Sequence, residues 1–266
     1  DAAAAAAAIQ STVARLIAGA DPRADGSAAL PLLFALDRLG RSDDALLRRA
    51  FDRPGSDVAH AALRVLAARD SLPAYAEELF AAIAGGAGSP SRPKFRPANS
   101  PAMQARSESE PHRTTPGYTW RLIADALNRH PQPWGAPLLL SMLARAPEAD
   151  TELVYSLRLA LKTHAQEADS ATLAQWAAAS VADAARVADL ALALKTPAAA
   201  RFLLGHVRAA KTPDARIGDF AKHIAANLPA DEFESFAALL KPLAAAPELQ
   251  RLAAAEGLAA IAAKKD

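Results

Sequence analysis

The chain contains no cysteine. That excludes a disulfide framework, a thiolate nucleophile, a cysteine-ligated zinc and a covalently attached c-type haem. Glycine is scarce, at 12 of 266 residues, and aromatic residues make up only 5%. Neither sign of charge dominates: 30 Lys and Arg against 29 Asp and Glu leave a formal net charge of +1. Nucleic-acid binders carry a clustered basic excess, because phosphate neutralisation supplies most of their non-specific affinity, so no nucleic-acid partner is expected. Nor does any uncharged apolar run reach the ~18 to 20 residues that a bilayer-spanning helix needs.

What is present points one way. Alanine fills roughly a quarter of the positions, several times ordinary usage, and leucine is abundant. Hydrophobic residues reach 52%, too many for a disordered chain. Alanine is the best helix former and a poor strand former, so the composition is that of an all-α protein. The chain opens on Asp1 rather than Met, as expected of a processed product or an excised piece of something longer. That start fits a mature exported protein, periplasmic or secreted.

Helix signals recur along the chain. Ala2–Ala8 reads as the first turns of an alanine-rich helix continuing through Val13, Leu16 and Ile17. Ser56-Asp57 precedes Val58, Ala62, Leu63 and Leu66, with apolar positions every three to four residues. Thr196-Pro197 and Thr212-Pro213 each place a capping hydroxyl before a proline at the first helical position. Asp231-Glu232 opens a stripe of Phe233, Phe236, Leu239 and Leu240. No segment alternates β-branched residues with period two, so essentially no strand is expected.

One stretch breaks the pattern. From Gly85-Gly86-Ala87-Gly88 to Gly117 the chain carries Pro90, Pro93, Pro97, Pro101, Pro111 and Pro116 and no Leu, Ile or Val. It cannot bury enough apolar surface to offset the entropy of ordering it. This segment is either an arm that wraps a neighbouring domain or partner, or a tolerated surface insertion. The domain reading is therefore helices over 1–84, a Pro/Gly-rich insert over 85–117, and helical repeats over 118–266, with one continuous solenoid expected.

The helices repeat. Those opening near Gly117, Asp150, Val181, Asp214 and Glu248 start about 31 to 34 residues apart, one helix pair per period. Ala62-Leu63-Arg64-Val65-Leu66 resembles Ser156-Leu157-Arg158-Leu159-Ala160-Leu161, and Ile217, Phe220, Ala221 and Ile224 keep a helical spacing, as do Leu249, Leu252, Ala255 and Leu258. Small side chains on the facing stripe let helices approach closely, and stacked pairs bury one core that no pair forms alone. The tetratricopeptide and ankyrin signatures are absent. The expected fold is a HEAT/armadillo-like α-solenoid of stacked helix pairs.

Two stretches resemble a particular family. Leu32-Leu33-Phe34-Ala35-Leu36 through Ala45-Leu46-Leu47, continuing into Asp57-Val58-Ala59-His60-Ala61-Ala62-Leu63-Arg64-Val65-Leu66-Ala67, is similar to the HEAT-repeat region of large secreted haem-binding, membrane-bound dehydrogenase-type proteins of planctomycetes and verrucomicrobia. So is Pro137-Leu138-Leu139-Leu140 through Ala144-Arg145-Ala146-Pro147 to Leu153-Val154-Tyr155-Ser156-Leu157-Arg158-Leu159-Ala160-Leu161. In that family the repeats sit between a sugar-dehydrogenase-like β-propeller and a cytochrome c module. The resemblance implies a connecting and interaction module without the redox centres, positioning neighbouring domains or subunits.

Catalytic constellations are missing from the residues themselves. The six histidines, His60, His112, His130, His164, His206 and His223, form no His-Glu-x-x-His or His-x-x-x-His pair, and each reads as a helix-end or surface residue. There is no Gly-x-Ser-x-Gly elbow, phosphate loop or dinucleotide fingerprint. Trp120, Trp134 and Trp176 read as core anchors. No catalytic residue, cofactor site or metal site is expected, and the chain itself is not read as an enzyme. A DNA-glycosylase-like enzyme on a helical frame is disfavoured by the balanced charge. In a solenoid the second helices of successive pairs line the concave side, which nominates Arg64, Trp120, Arg121, Tyr155 and Arg158 as partner contacts. The alternative to a domain-positioning scaffold is a free-standing adaptor binding a protein or peptide in that groove.

Overall fold

The computed structural model describes residues 2–18, 29–40, 43–52, 56–85, 116–209, 216–243 and 248–265. Among them the regular structure is entirely helical. The helices are α1 (Ala2–Ala18), α2 (Ala29–Arg38), α3 (Asp44–Ala50), α4 (Asp57–Ala68), α5 (Ala76–Ala84), α6 (Pro116–Arg129), α7 (Gly135–Arg145), α8 (Thr151–Gln166), α9 (Ser170–Ala177), α10 (Val181–Leu192), α11 (Pro197–Ala209), α12 (Ile217–Asn227), α13 (Phe233–Leu243) and α14 (Glu248–Lys265). A 3-10 turn, Ala230–Glu232, leads into α13. Thus Asp231-Glu232 forms the approach to that helix rather than its first turn. The 85–117 insert, apart from Gly85, Pro116 and Gly117, and the Thr212-Pro213 cap lie outside the described residues.

Short polar caps set the helix starts. Ser56 accepts a hydrogen bond from the Ala59 amide at 3.2 Å, and Thr196 accepts one from Ala199 at 3.2 Å with Pro197 as the first helical residue. Asp150 accepts from the Leu153 amide at 3.0 Å, so α8 begins where the sequence places it. Asp43, Asp169 and Ser180 cap α3, α9 and α10 in the same way. Each cap satisfies an amide that the helix cannot pair internally. α2 ends in a turn at Gly40, whose φ of 63° is the left-handed conformation that glycine adopts without a Cβ clash.

The chain divides into two compact units, 1–160 and 161–266. In the first, α2 packs on α1 and α4, α4 on α3 and α6, α6 on α7, and α5 on α7. Its core holds Leu33, Leu36, Leu47, Leu63, Leu66, Phe80, Ile123, Leu127, Leu139 and Met142, all buried. Burying each such leucine contributes about 1.5–3 kcal/mol relative to leaving it exposed. In the second, α9 packs on α10 and α11, α10 on α11 and α12, α11 on α12, and α14 on α12 and α13. Its core is built on Leu173, Val187, Leu203, Phe220, Ile224 and Phe236.

The alanine excess acts at these contacts. Ala62, Ala124, Ala126, Ala136, Ala188, Ala191, Ala199, Ala200 and Ala225 have no exposed surface. The stripe at the end of the chain differs from expectation. Among the described side chains of α14, Ala254, Gly257 and Ile261 are buried, whereas Ala255 is exposed and Leu258 is 38% exposed; Leu249 and Leu252 lie outside the described side chains. The apolar pattern of an alanine-rich helix is nearly degenerate in phase, so neighbours rather than periodicity choose its inner face.

Candidate functional site

Helices α4, α6 and the start of α8 bring several charged and aromatic side chains together. α4 and α6 are joined at two levels. His60 is buried, its Nε2 lies 2.9 Å from Thr119 Oγ1, and its ring meets Tyr118 edge-on with centroids 4.8 Å apart. One end further on, His130 Nε2–H donates to the Ala67 carbonyl at 3.1 Å. His60 is therefore an interior residue, not a surface histidine, whereas His164, also buried, lies in the last turn of α8 as a helix-end histidine. A threonine hydroxyl 59 residues away makes the burial of His60 tolerable, since a buried polar group costs free energy unless it is hydrogen-bonded.

Outward from this seam lies Arg64, exposed on α4. Its guanidinium donates to the Tyr118 hydroxyl at 2.5 Å and stands 6.0 Å from that ring's centroid. One turn along α6, Arg121 forms an ion pair with Glu152 of α8. Another turn on is Asp125. The spacing 118, 121, 125 and 129 keeps Tyr118, Arg121, Asp125 and Arg129 on one face of the helix. Crowding by protein pushes the Asp125 carboxyl above the usual carboxylate range, and the opposing pull of Arg129, Arg64 and Arg121 does not cancel it. On α8, Tyr155 follows Glu152 by three residues and is 67% exposed, and Leu159, four residues later, is 41% exposed.

The structure gives two of the five nominated contact residues partners across helices. Arg64 bonds to Tyr118 of α6 and Arg121 to Glu152 of α8, and Tyr155 stands one turn after Glu152 on the exposed side of α8. Arg158 is exposed but lies on the flank of α8 beyond Tyr155. Trp120 is elsewhere: it is half-buried on the opposite side of α6, with the Arg145 guanidinium of α7 over its ring at 5.1 Å. Tyr118 and Asp125 were not singled out from sequence. Their signal, recurrence at 118, 121 and 125, has meaning only once the inner face of α6 is known.

Because Asp125 titrates above its unfolded-state value, the folded protein binds its proton more tightly than the unfolded chain does. Its contribution to stability is present in acid and is lost as pH rises through the folded value, leaving a cost at neutrality. Asp125→Asn should therefore raise the stability at pH 7, by less than about 1 kcal/mol after solvent screening, seen as a higher melting temperature. Below about pH 4 that gain should vanish. A lowered melting temperature at pH 7 would show instead that attraction to the three arginines prevails.

A second polar cluster lies where α2, α3 and α5 meet the end of α4. Arg69 donates to Asp37 at 3.0 Å and to Asp44 at 2.8 Å, and the Tyr75 hydroxyl donates to Asp44 at 3.5 Å. Arg48 covers the Tyr75 ring at 4.6 Å. Burial opposes the Arg69 charge, but its bonds to Asp44 and Asp37 outweigh burial and hold its pKa above the usual value. Burial and Asp44 push the Tyr75 hydroxyl up to about 12. Beside them opens a cleft of about 560 Å³ lined also by Asp70 and Ser71. The arrangement ties four helices together.

In the second unit His223 is half-buried on α12. Burial lowers its pKa, and the hydrogen bond to the Leu194 carbonyl only partly opposes this. A depressed folded value means that the unfolded chain binds the proton first. The stabilisation is complete above the unfolded histidine value of about 6.5 and falls as pH drops through the window below it. Urea midpoints should decline as pH falls below the unfolded value of about 6.5, and His223→Gln should flatten that decline. An unchanged slope in the variant would remove His223 as its cause.

No group of three or more His, Asp or Glu gathers in a metal-binding arrangement among the described residues. No described helix is long and apolar enough to cross a membrane. No protein-family model, curated protein or solved structure matches this chain.

Proposed function

We propose that the chain is a non-catalytic helical-repeat module that positions neighbouring protein domains or subunits, with the α4–α6–α8 face as its contact surface. The observation that carries this reading is the concentration of arginine and tyrosine on that face, in Arg64, Tyr118, Arg121 and Tyr155. These residue types dominate the binding energy of protein interfaces, because they combine large contact area with directional polar groups. Packing of each helix on its second neighbour, α2 on α4 on α6 and α10 on α12 on α14, supports a HEAT/armadillo-like stacking of helix pairs within each unit. The likeness of two stretches to the repeats of secreted haem-binding dehydrogenase-type proteins adds the setting: an extracytoplasmic parent that holds the redox centres elsewhere. In this reading the module itself binds no cofactor and no nucleic acid.

The test is a photo-crosslinking amino acid at position 155 of the full-length product in its native host. The expected result is a covalent adduct to one protein segment, mapped by mass spectrometry and lost when Arg64→Glu is added. The control is the same probe at Val181, which is 91% exposed in the other unit. No adduct from position 155, or equal yield from 181, overturns the reading. A free-standing adaptor is the outcome if the adduct maps to a separate polypeptide rather than to an adjoining segment or a constant subunit.

A further inference from the structure

We infer that His223 is an acid-operated latch: in its neutral form it ties α12 to the turn between α10 and α11, and when its ring takes up a proton that turn swings clear of α12 while the rest of the unit stays folded.

α10 and α12 are tied at two points. The Asp189 carboxylate of α10 pairs with Arg216, the residue that precedes α12. Two helical turns after Arg216, the His223 ring donates to the carbonyl of Leu194, in the turn 193–196. Apart from these ties the two helices touch over only a short stretch, and α12 lies chiefly against α11 and α14. Within the turn Leu194 is buried, whereas Ala193 and Lys195 are exposed.

This arrangement suits one protonation state only. With one ring nitrogen donating to Leu194, neutral His223 carries a lone pair on the other, Nε2. That atom is buried and has no hydrogen-bond partner among the described residues. Protonation turns it into a charged N–H donor with nothing to accept its bond, which costs far more than an unused neutral acceptor. The imidazolium therefore favours an arrangement in which Nε2 reaches water, and the slight α10–α12 contact is the one that yields most readily. Protonating a histidine does not break a carboxylate–guanidinium pair, so Asp189 and Arg216 remain as the pivot.

The surrounding charges are engaged elsewhere or lie at the surface. On α10, Asp183 pairs with Arg186 and Asp189 with Arg216. On α11, Arg201 pairs with Glu232, Arg208 bonds to Ser235, and His206 stacks on Phe202. Lys195 of the turn and Asp219 and Lys222 of α12 are exposed. α14 adds no charged side chain among those described. Burial and the Leu194 bond set the proton affinity of the ring; burial is the larger and lowers it, so the latch opens below the ordinary histidine value of about 6.5.

Because the chain has no cysteine, Lys195→Cys and Lys222→Cys provide two exposed sites for thiol-specific spin labels, one on the turn and one beside His223. The distance between the labels is measured by electron–electron double resonance on the whole 266-residue chain, over a pH series from about 7 to about 4. One separation is expected at neutral pH, replaced by a longer one in acid, while circular dichroism and Trp176 fluorescence stay native. The His223 Cε1–H resonance should titrate with the same midpoint. His223→Asn puts a donor in place of the ring nitrogen that bonds Leu194 and takes up no proton, so the labels should keep their neutral separation throughout.

An unchanged separation while the His223 resonance titrates overturns the latch. So does a longer separation that appears only as circular dichroism is lost, since that is unfolding of the whole unit, and so does equal opening of the asparagine variant. Should that variant be unfolded at neutral pH, the wild-type resonance decides: the opening midpoint coincides with the titration of His223 if it is the latch and is displaced from it if it is not.

Discussion

Replacing Phe220 with alanine should destabilise the protein by about 3–5 kcal/mol, the range for deleting a fully buried aromatic ring. Phe220 has no exposed surface, and it is the hub of a small aromatic cluster. His206 meets its ring edge-on at 5.8 Å and itself stacks on Phe202 at 6.0 Å, while the Arg216 guanidinium lies 5.3 Å from the Phe220 centroid. Truncation removes the transferred apolar surface and also the ring that His206 and the Arg216 guanidinium pack against. With total stabilities of order 5–15 kcal/mol, such a loss unfolds a large share of molecules near physiological temperature. Urea titration followed by the fluorescence of Trp176, the one tryptophan after residue 160, measures it directly. Phe220→Leu should recover more than half of the loss. A cost below about 1 kcal/mol for the alanine variant would mean that α11 and α12 do not pack through this ring.

Gly257→Leu should be comparably severe, at about 3 kcal/mol, for the opposite reason: there is no room. A Cβ at this position would lie 2.7 Å from Leu240 Cδ1 and 3.4 Å from both Ala221 Cβ and Phe236 Cζ. The glycine sits where α14 meets α12 and α13, and its missing side chain permits the approach. Gly257→Ala is the informative comparison. An exposed helical glycine replaced by alanine gains about 1 kcal/mol in helix propensity, whereas here the methyl group must displace the buried Leu240 tip. The two effects oppose, so the alanine variant should fall close to wild type while leucine does not. If both variants are stabilised, α14 does not pack at this point. Thermal melts of the three proteins side by side distinguish these results.

The same glycine shows where reading from sequence stops. Helix identity and most helix starts were legible, because caps such as Ser56, Asp150 and Thr196 act within three residues of the amide they bind. The inner face of α12, with Ile217, Phe220, Ala221 and Ile224 buried, was legible too, since bulky residues mark its phase. The inner face of α14 was not. In a helix made chiefly of alanine, turning the stripe by one residue changes the buried area little, and the choice passes to Leu240, Phe236 and Ala221.

The candidate site divides in the same way. Arg64, Arg121 and Tyr155 are large polar side chains in an alanine-rich chain, which makes them legible in the sequence. That Trp120 faces α7 instead, that His60 is interior, and that Asp125 stands among three arginines depend on pairs up to about 60 residues apart. Local spacing has no access to such pairs.

By itself, the amino-acid sequence determined an all-helical, cysteine-free chain whose small side chains allow close helix packing, because propensity and capping are local. Only the tertiary structure decided which residues meet across the helices: His60 with Thr119, Arg64 with Tyr118, Gly257 against Leu240. The physical reason is that alanine specifies a helix strongly but its partner and rotation weakly, so the few large and polar residues settle both when the helices come together.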